Sequence, residues 1–126
     1  MDDMGILRTT IAIESHLRRG ETRELADVMV DTGSGYTWVP RAVLASLGIA
    51  AEAVERFVTA DGRVIAREIG YAIVHAGGAR STDAVVFAEA GDMTLLGAHT
   101  LEGMNLRVDL KQKRLVPAGP VPAAAA

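Results

Sequence analysis

The chain contains no cysteine, so disulfides, a thiolate metal site and a cysteine nucleophile are all excluded. Aromatic residues make up only 4%, and the core must therefore be built from Val, Ile, Leu, Ala and Met. No apolar run approaches the ~18 residues of a membrane span, and no membrane partner is expected. Net charge is −3 with Lys and Arg scattered, so there is no electrostatic footprint for nucleic acid. The three histidines, His16, His75 and His99, are far apart and never at a ligand spacing such as i, i+4. No metal site is expected from them, and no cofactor. Ser34 and Ser46 lack a plausible neighbouring base, which argues against a serine hydrolase. Gly77-Gly78 lacks the strand-to-helix setting of a phosphate loop. The opening Met1-Asp2-Asp3-Met4 is acidic, unlike the basic start of a secretory signal. A soluble, cytoplasmic protein is the expectation.

What is present fits one mostly-β domain, since 126 residues suffice for one modest core and not two. Thr9–Glu14 alternates as a strand, and Arg23–Asp31 returns as a second after the polar Leu17–Glu21 connection. Tyr36–Val39 is a short strand. Pro40 suits the first turn of a helix through Leu47, with Gly48 as its stop. Ala53–Thr59 and Arg63–Ala76 flank Asp61-Gly62, a tight-turn signal. Gly77-Gly78 turns the chain again before a strand over Asp83–Ala88. Thr94–Gly97 is a buried strand, Ala98–Gly103 a brief helix, and Leu106–Leu110 with Arg114–Val116 a closing hairpin. The domain is expected over residues 1–116. The Pro/Ala-rich segment 117–126 has nothing to pack and is expected to be disordered.

Chemistry concentrates in Val28-Met29-Val30-Asp31-Thr32-Gly33-Ser34-Gly35. The apolar residues before Asp31 should hold its carboxylate near a low-dielectric core, where an acid is costly unless paired or functional. Trp38 reads as a core or loop-packing residue, with pocket lining as the alternative.

From Thr9 to about Val116 the sequence resembles the retropepsin-like aspartic proteases. These form the single-domain, dimeric branch that includes retroviral proteases and the DNA-damage-inducible shuttle proteins, and the likeness is greatest to its small bacterial members. The resemblance rests on ordered features: an N-terminal hairpin, Asp31-Thr32-Gly33-Ser34, a hairpin turning at Asp61-Gly62 where the family has its flap, then Leu95-Leu96-Gly97 before a helix, and the strand Leu106–Leu110. It implies a closed β-barrel of the acid-protease type with one or two short helices, forming a two-fold symmetric homodimer.

The resemblance also implies roles. Asp31 would meet its counterpart in a partner chain, two carboxylates sharing one proton and activating a water. Thr32 would bond across the axis, and Gly33 would permit close approach of backbone to substrate. Ser34 would place a hydroxyl beside the carboxylate. Gly35, Leu96 and the flap residues Thr59, Ala60, Asp61, Gly62 and Arg63 would contact a peptide or protein substrate. Retroviral members pair an acid at the position of Gly35 with an arginine at the position of Ala98. Here both are missing, so a brace of the dimer is gone. Ile6, Leu7 and Leu106–Leu110 are candidates for the interface. The expected activity is endopeptidase, and a non-catalytic module that binds extended peptides or scaffolds an assembly is the alternative.

Overall fold

A computed structural model describes residues 6–125. The acidic opening at Met1–Met4 lies outside the described residues, as does Ala126. Among the described residues, nine strands and two short helices follow the order β1 (Leu7–Glu14), β2 (Thr22–Asp31), β3 (Thr37–Pro40), α1 (Arg41–Ser46), β4 (Ala53–Val58), β5 (Val64–Ala76), β6 (Ala79–Ala88), β7 (Leu95–Gly97), α2 (Ala98–Gly103), β8 (Leu106–Asp109) and β9 (Arg114–Pro117). Among the described residues, no helix is long and apolar enough to cross a membrane.

Seven strands form one sheet in the order β1-β2-β7-β3-β6-β5-β4, and an added β1–β5 pairing closes it into a barrel. Only β4 stands outside the ring, paired to the first half of β5 as a projecting hairpin. Closure removes the free edges that an open sheet would expose. The interior is aliphatic, as the scarcity of aromatics requires: Ile11, Ile13, Val39, Leu44, Val85 and Leu96 are all essentially inaccessible.

Local chemistry accounts for the corners. Gly77 and Gly78 both take positive φ, 56° and 78°, in the two-residue turn joining β5 to β6. Helix α1 ends in a Schellman arrangement: Gly48 (φ 71°) donates to the Ala45 carbonyl, Ile49 donates to that of Leu44, and Leu44 and Ile49 are both buried. Pro40 is the last residue of β3 and the cap of α1, one position before the helix proper. In β2 the register shifts opposite Thr9–Ile11, where Asp27 adopts a left-handed φ of 54°. This bulge reverses the alternation, so that Leu25 and Val28 both turn towards the core although three residues apart.

Some sequence boundaries need correction. Strand β6 begins at Ala79, four residues earlier than expected, because it pairs with β5 directly from the glycine turn. Its exposed Arg80 and Thr82 masked that half as loop. Leu7, a candidate for an interface, is buried in its own chain's core, whereas Ile6 is exposed. The closing hairpin forms a separate two-stranded sheet. Leu106 and Leu115 cover Gly77, where a Cβ would lie 3.2 Å from Leu106 Cδ1. Beyond β9, Ala118 N–H donates to Asn105 O and the Asn105 amide donates to Gly119 O, so the first residues of the Pro/Ala segment are tied to the barrel.

At the end of β1 farthest from Asp31, Glu14 is buried yet charged. Its Oε2 accepts from Gly20 N–H (2.7 Å) and Arg19 Nε (2.9 Å), and its Oε1 lies 2.7 Å from His75 Nε2. The Gly20 amide, then His75 and Arg19, lower the Glu14 pKa from 4.5 to about 2.

Candidate active site

Strand β2 ends at Asp31, which lies opposite Gly97 in parallel register with β7. Because Val28 and Val30 point into the core, Asp31 falls on the opposite face and is half-buried. The expectation of a carboxylate held close to the apolar interior is corrected accordingly. Its Oδ1 accepts from Gly33 N–H at 2.9 Å, and Ser34 N–H closes the turn onto the Asp31 carbonyl at 3.2 Å. A Cβ at residue 33 would approach Oδ1 to 3.2 Å, so glycine leaves the carboxylate uncrowded. Thr32 is exposed.

The turn is stitched to the β7–α2 corner. Ala98 N–H donates to Ser34 O (2.7 Å) and His99 N–H to Gly35 O (3.1 Å). Gly97 N–H donates to the buried Thr37 Oγ1 at 3.0 Å, and the Thr37 and Thr100 hydroxyls are hydrogen-bonded at 2.7 Å. The Ser34 hydroxyl donates to the Tyr36 carbonyl (2.9 Å) rather than standing against the Asp31 carboxylate as expected. Where retroviral members would carry an ion pair, the His99 ring lies against Gly35: a Cβ at residue 35 would be 3.4 Å from His99 Cε1. Backbone bonds and an imidazole thus brace the loop in place of charge.

Beside the turn a cleft of about 830 Å³ runs between Gly33-Ser34-Gly35 and the β4–β5 hairpin. Of the expected flap residues, Thr59 and Arg63 line it, while Ala60, Asp61 and Gly62 form the exposed tip. Asp61 accepts from the Thr59 hydroxyl and from Arg63 Nε (2.9 Å to Oδ2). The Thr59 hydroxyl, followed by Arg63, holds its carboxyl below the usual carboxylate range. Leu96 does not reach the cleft: it is fully buried, and its neighbour Leu95 lines the wall instead.

Two features of the lining, an aromatic wall and an ion pair, are not evident from the sequence alone. Tyr36 and Trp38 both face the cleft and meet Phe57 of β4, with ring centroids 5.5 Å (edge-on) and 5.0 Å apart. The period of two was the available signal, because Thr37 and Val39 are wholly buried and leave Tyr36 and Trp38 on the other face. Arg67 of β5 and Asp92 form a two-point ion pair (2.6 and 2.9 Å), and Asp92 also accepts from Glu89 N–H. That bonding lowers the Asp92 pKa and raises that of Arg67. Nothing in local spacing links residues 67 and 92. Among the described residues, no three His, Asp or Glu side chains converge as a metal site.

A loop carrying Asp31-Thr32-Gly33, propped by Leu95-Leu96-Gly97 and roofed by a hairpin, agrees with a comparison against protein families. The family model of the gag-polyprotein putative aspartyl protease matches residues 22–103. The chain belongs to this retropepsin-like aspartyl protease family. The matched segment of the aspartyl protease domain spans β2 through α2, and so contains the Asp31 turn, the β4–β5 hairpin and the β7–α2 corner. No curated protein matches the chain.

Proposed function

We propose that this aspartyl protease domain is an endopeptidase that works as a homodimer, each chain supplying one Asp31. The reaction needs a base to take a proton from water and an acid to donate to the scissile carbonyl. One carboxylate cannot do both at once. Two in contact share a proton, because ionising both is unfavourable, and the pair then holds both protonation states. The chain carries Asp-Thr-Gly once. Attack of the activated water gives a tetrahedral diol, and return of the proton to the amine completes hydrolysis with no covalent intermediate.

The observation that carries this reading is the half-buried Asp31 beside the cleft, one oxygen fixed by Gly33 N–H on a loop braced from beneath. Asp31 stands at the margin of the cleft, as a residue facing a partner would. The exposed Thr32 is placed to bond across a two-fold axis. Ser34 and Gly35 form the cleft floor, and the Thr59–Arg63 hairpin is the flap that closes over an extended peptide and excludes water.

The test is cleavage of an unstructured protein between pH 3 and 7 by the wild type and by Asp31→Asn. Cleavage by the wild type alone supports the reading. Equal cleavage by both rules out Asp31 as the catalytic acid, and cleavage by neither leaves the fold as a peptide-binding module.

A further inference from the structure

Arg67 of β5 stands directly across from Glu55 of β4 in the hairpin register, on the same face of the ribbon. An opposite charge there is the nearest partner that strand pairing supplies. The guanidinium reaches instead to Asp92, outside the hairpin, at 2.6 and 2.9 Å. Glu55 stays exposed, and its carboxylate accepts the N–H of Arg56 at 3.1 Å. Both acids line the cleft, one on each side of Arg67.

Asp92 lies in the loop between β6 and β7. Its carboxylate also accepts Glu89 N–H (2.8 Å), and its own N–H donates to Glu89 O (3.0 Å), which closes residues 89–92 into a turn. Arg41 fastens the other end of that turn, because it bonds both Glu89 and Glu68, the residue after Arg67. Consecutive residues of β5 thus hold one short loop from the two faces of the strand. Further along, the same segment reaches Gly97, opposite Asp31 in the β2–β7 register. The Arg67–Asp92 side chains are 19% and 13% exposed, against 40% or more for the Arg41 bridges, so solvent and salt weaken this pair least.

We propose that Arg67 is a two-position latch for the β4–β5 hairpin. Bound to Asp92, it holds the hairpin down against the loop that leads to the Asp31 prop. Bound to Glu55, it stays within the hairpin, which is then free to lift and admit an extended peptide. The exchange leaves the guanidinium paired in both positions, so opening strands no half-buried charge. The other cations lining the cleft do not compete: Arg56 falls on the opposite face of β4, and Arg63 is held by Asp61 at the tip. Arg67, Asp92 and Glu55 are positioning residues, acting through the hairpin. The inference rests on the peptidase reading for what the open cleft admits.

Trp38 is the sole tryptophan and lies 5.0 Å from Phe57 of β4, so its quenching by acrylamide reports the height of the hairpin. The measurement uses the full-length chain, with folding checked by the urea midpoint. Asp92→Asn keeps an oxygen for Glu89 N–H but removes the charge, and should raise the quenching constant about two-fold or more as the lifted state fills. Arg67→Met should do the same, and decides the matter if Asp92→Asn does not fold. Adding Glu55→Gln to Asp92→Asn should bring quenching part of the way back, because the lifted state loses its acid. A folded Asp92→Asn or Arg67→Met with wild-type quenching, or a double variant that matches Asp92→Asn, would overturn the latch. If the wild type cleaves peptides, Asp92→Asn should raise KM several-fold and leave kcat within about two-fold. A fall in kcat at unchanged KM, which mere loss of folded protein would give, counts against it. Trp38 shifts without wild-type cleavage sink the peptidase reading alone, and cleavage with Trp38 unmoved sinks only the latch.

Discussion

Gly97 and Tyr36 meet backbone to backbone: a Cβ added at residue 97 would lie 2.3 Å from the Tyr36 carbonyl oxygen. The contact sets the distance between the strand that props the site and the loop that carries Asp31. Gly97→Ala must therefore push the loop away from β7, since neither backbone can yield like a flexible side chain. The expected cost is about 1–3 kcal/mol, in the range of overpacked cores, read from the urea midpoint. Peptidase activity should fall further than stability alone accounts for. A variant of wild-type stability and activity would show that the loop is not held here.

The buried hydroxyl pair makes an asymmetric prediction. Thr37 Oγ1 receives Gly97 N–H as well as bonding to the Thr100 hydroxyl, whereas the Thr100 hydroxyl bonds only to Thr37 among the described residues. Thr37→Val orphans a buried amide and a buried hydroxyl, and should cost about 1–3 kcal/mol. Thr100→Val leaves the amide satisfied and should cost less. Denaturant unfolding of the two variants decides the order.

Glu14 predicts how the fold responds to acid. Its pKa in the folded chain is about 2 against 4.5 ordinarily, so the folded state favours the ionised form. The contribution to stability is complete above the unfolded value and is lost as pH falls from about 4.5 towards 2. In Glu14→Gln that pH-dependent part is absent. The urea midpoint of the wild type should drop more steeply than that of the variant across this window, the two curves running parallel above it. Parallel curves throughout would mean that the Gly20, His75 and Arg19 bonds do not favour the carboxylate. The same window overlaps the acid range in which a shared carboxylate proton operates, so activity assays there need a concurrent stability measurement.

How much was legible in the sequence depended on whether the signal was local. Asp31-Thr32-Gly33, the Asp61-Gly62 and Gly77-Gly78 turns, and helix α2 over Ala98–Gly103 follow from adjacent residues, and the structure has each of them in place. The side of β2 on which Leu25 lies was not legible, because the Asp27 bulge reverses the alternation and a bulge at a non-glycine residue leaves no clear mark in sequence. The exchange of Leu96 for Leu95 at the cleft wall has a similar origin. In a run of two leucines, composition cannot say which faces inward, and only the pairing with β2 and β3 decides it. The resemblance places the Ser34 hydroxyl beside Asp31, but Tyr36 O lies within its reach and takes it. The Arg67–Asp92 pair and the aromatic wall are products of tertiary closure, joining β5 to the loop before β7 and β3 to β4.

Catalysis by the proposed dimer needs an Asp31 from each of two chains, and subunit mixing measures that requirement. Wild type and Asp31→Asn are combined at constant total concentration, allowed to exchange, and assayed for peptide hydrolysis. If one active site is built from two chains, mixed pairs are inert and activity follows the square of the wild-type fraction, so an equal mixture retains about one quarter of full activity. Activity that instead tracks the wild-type fraction linearly, with about half retained, would mean that a single chain carries a complete site.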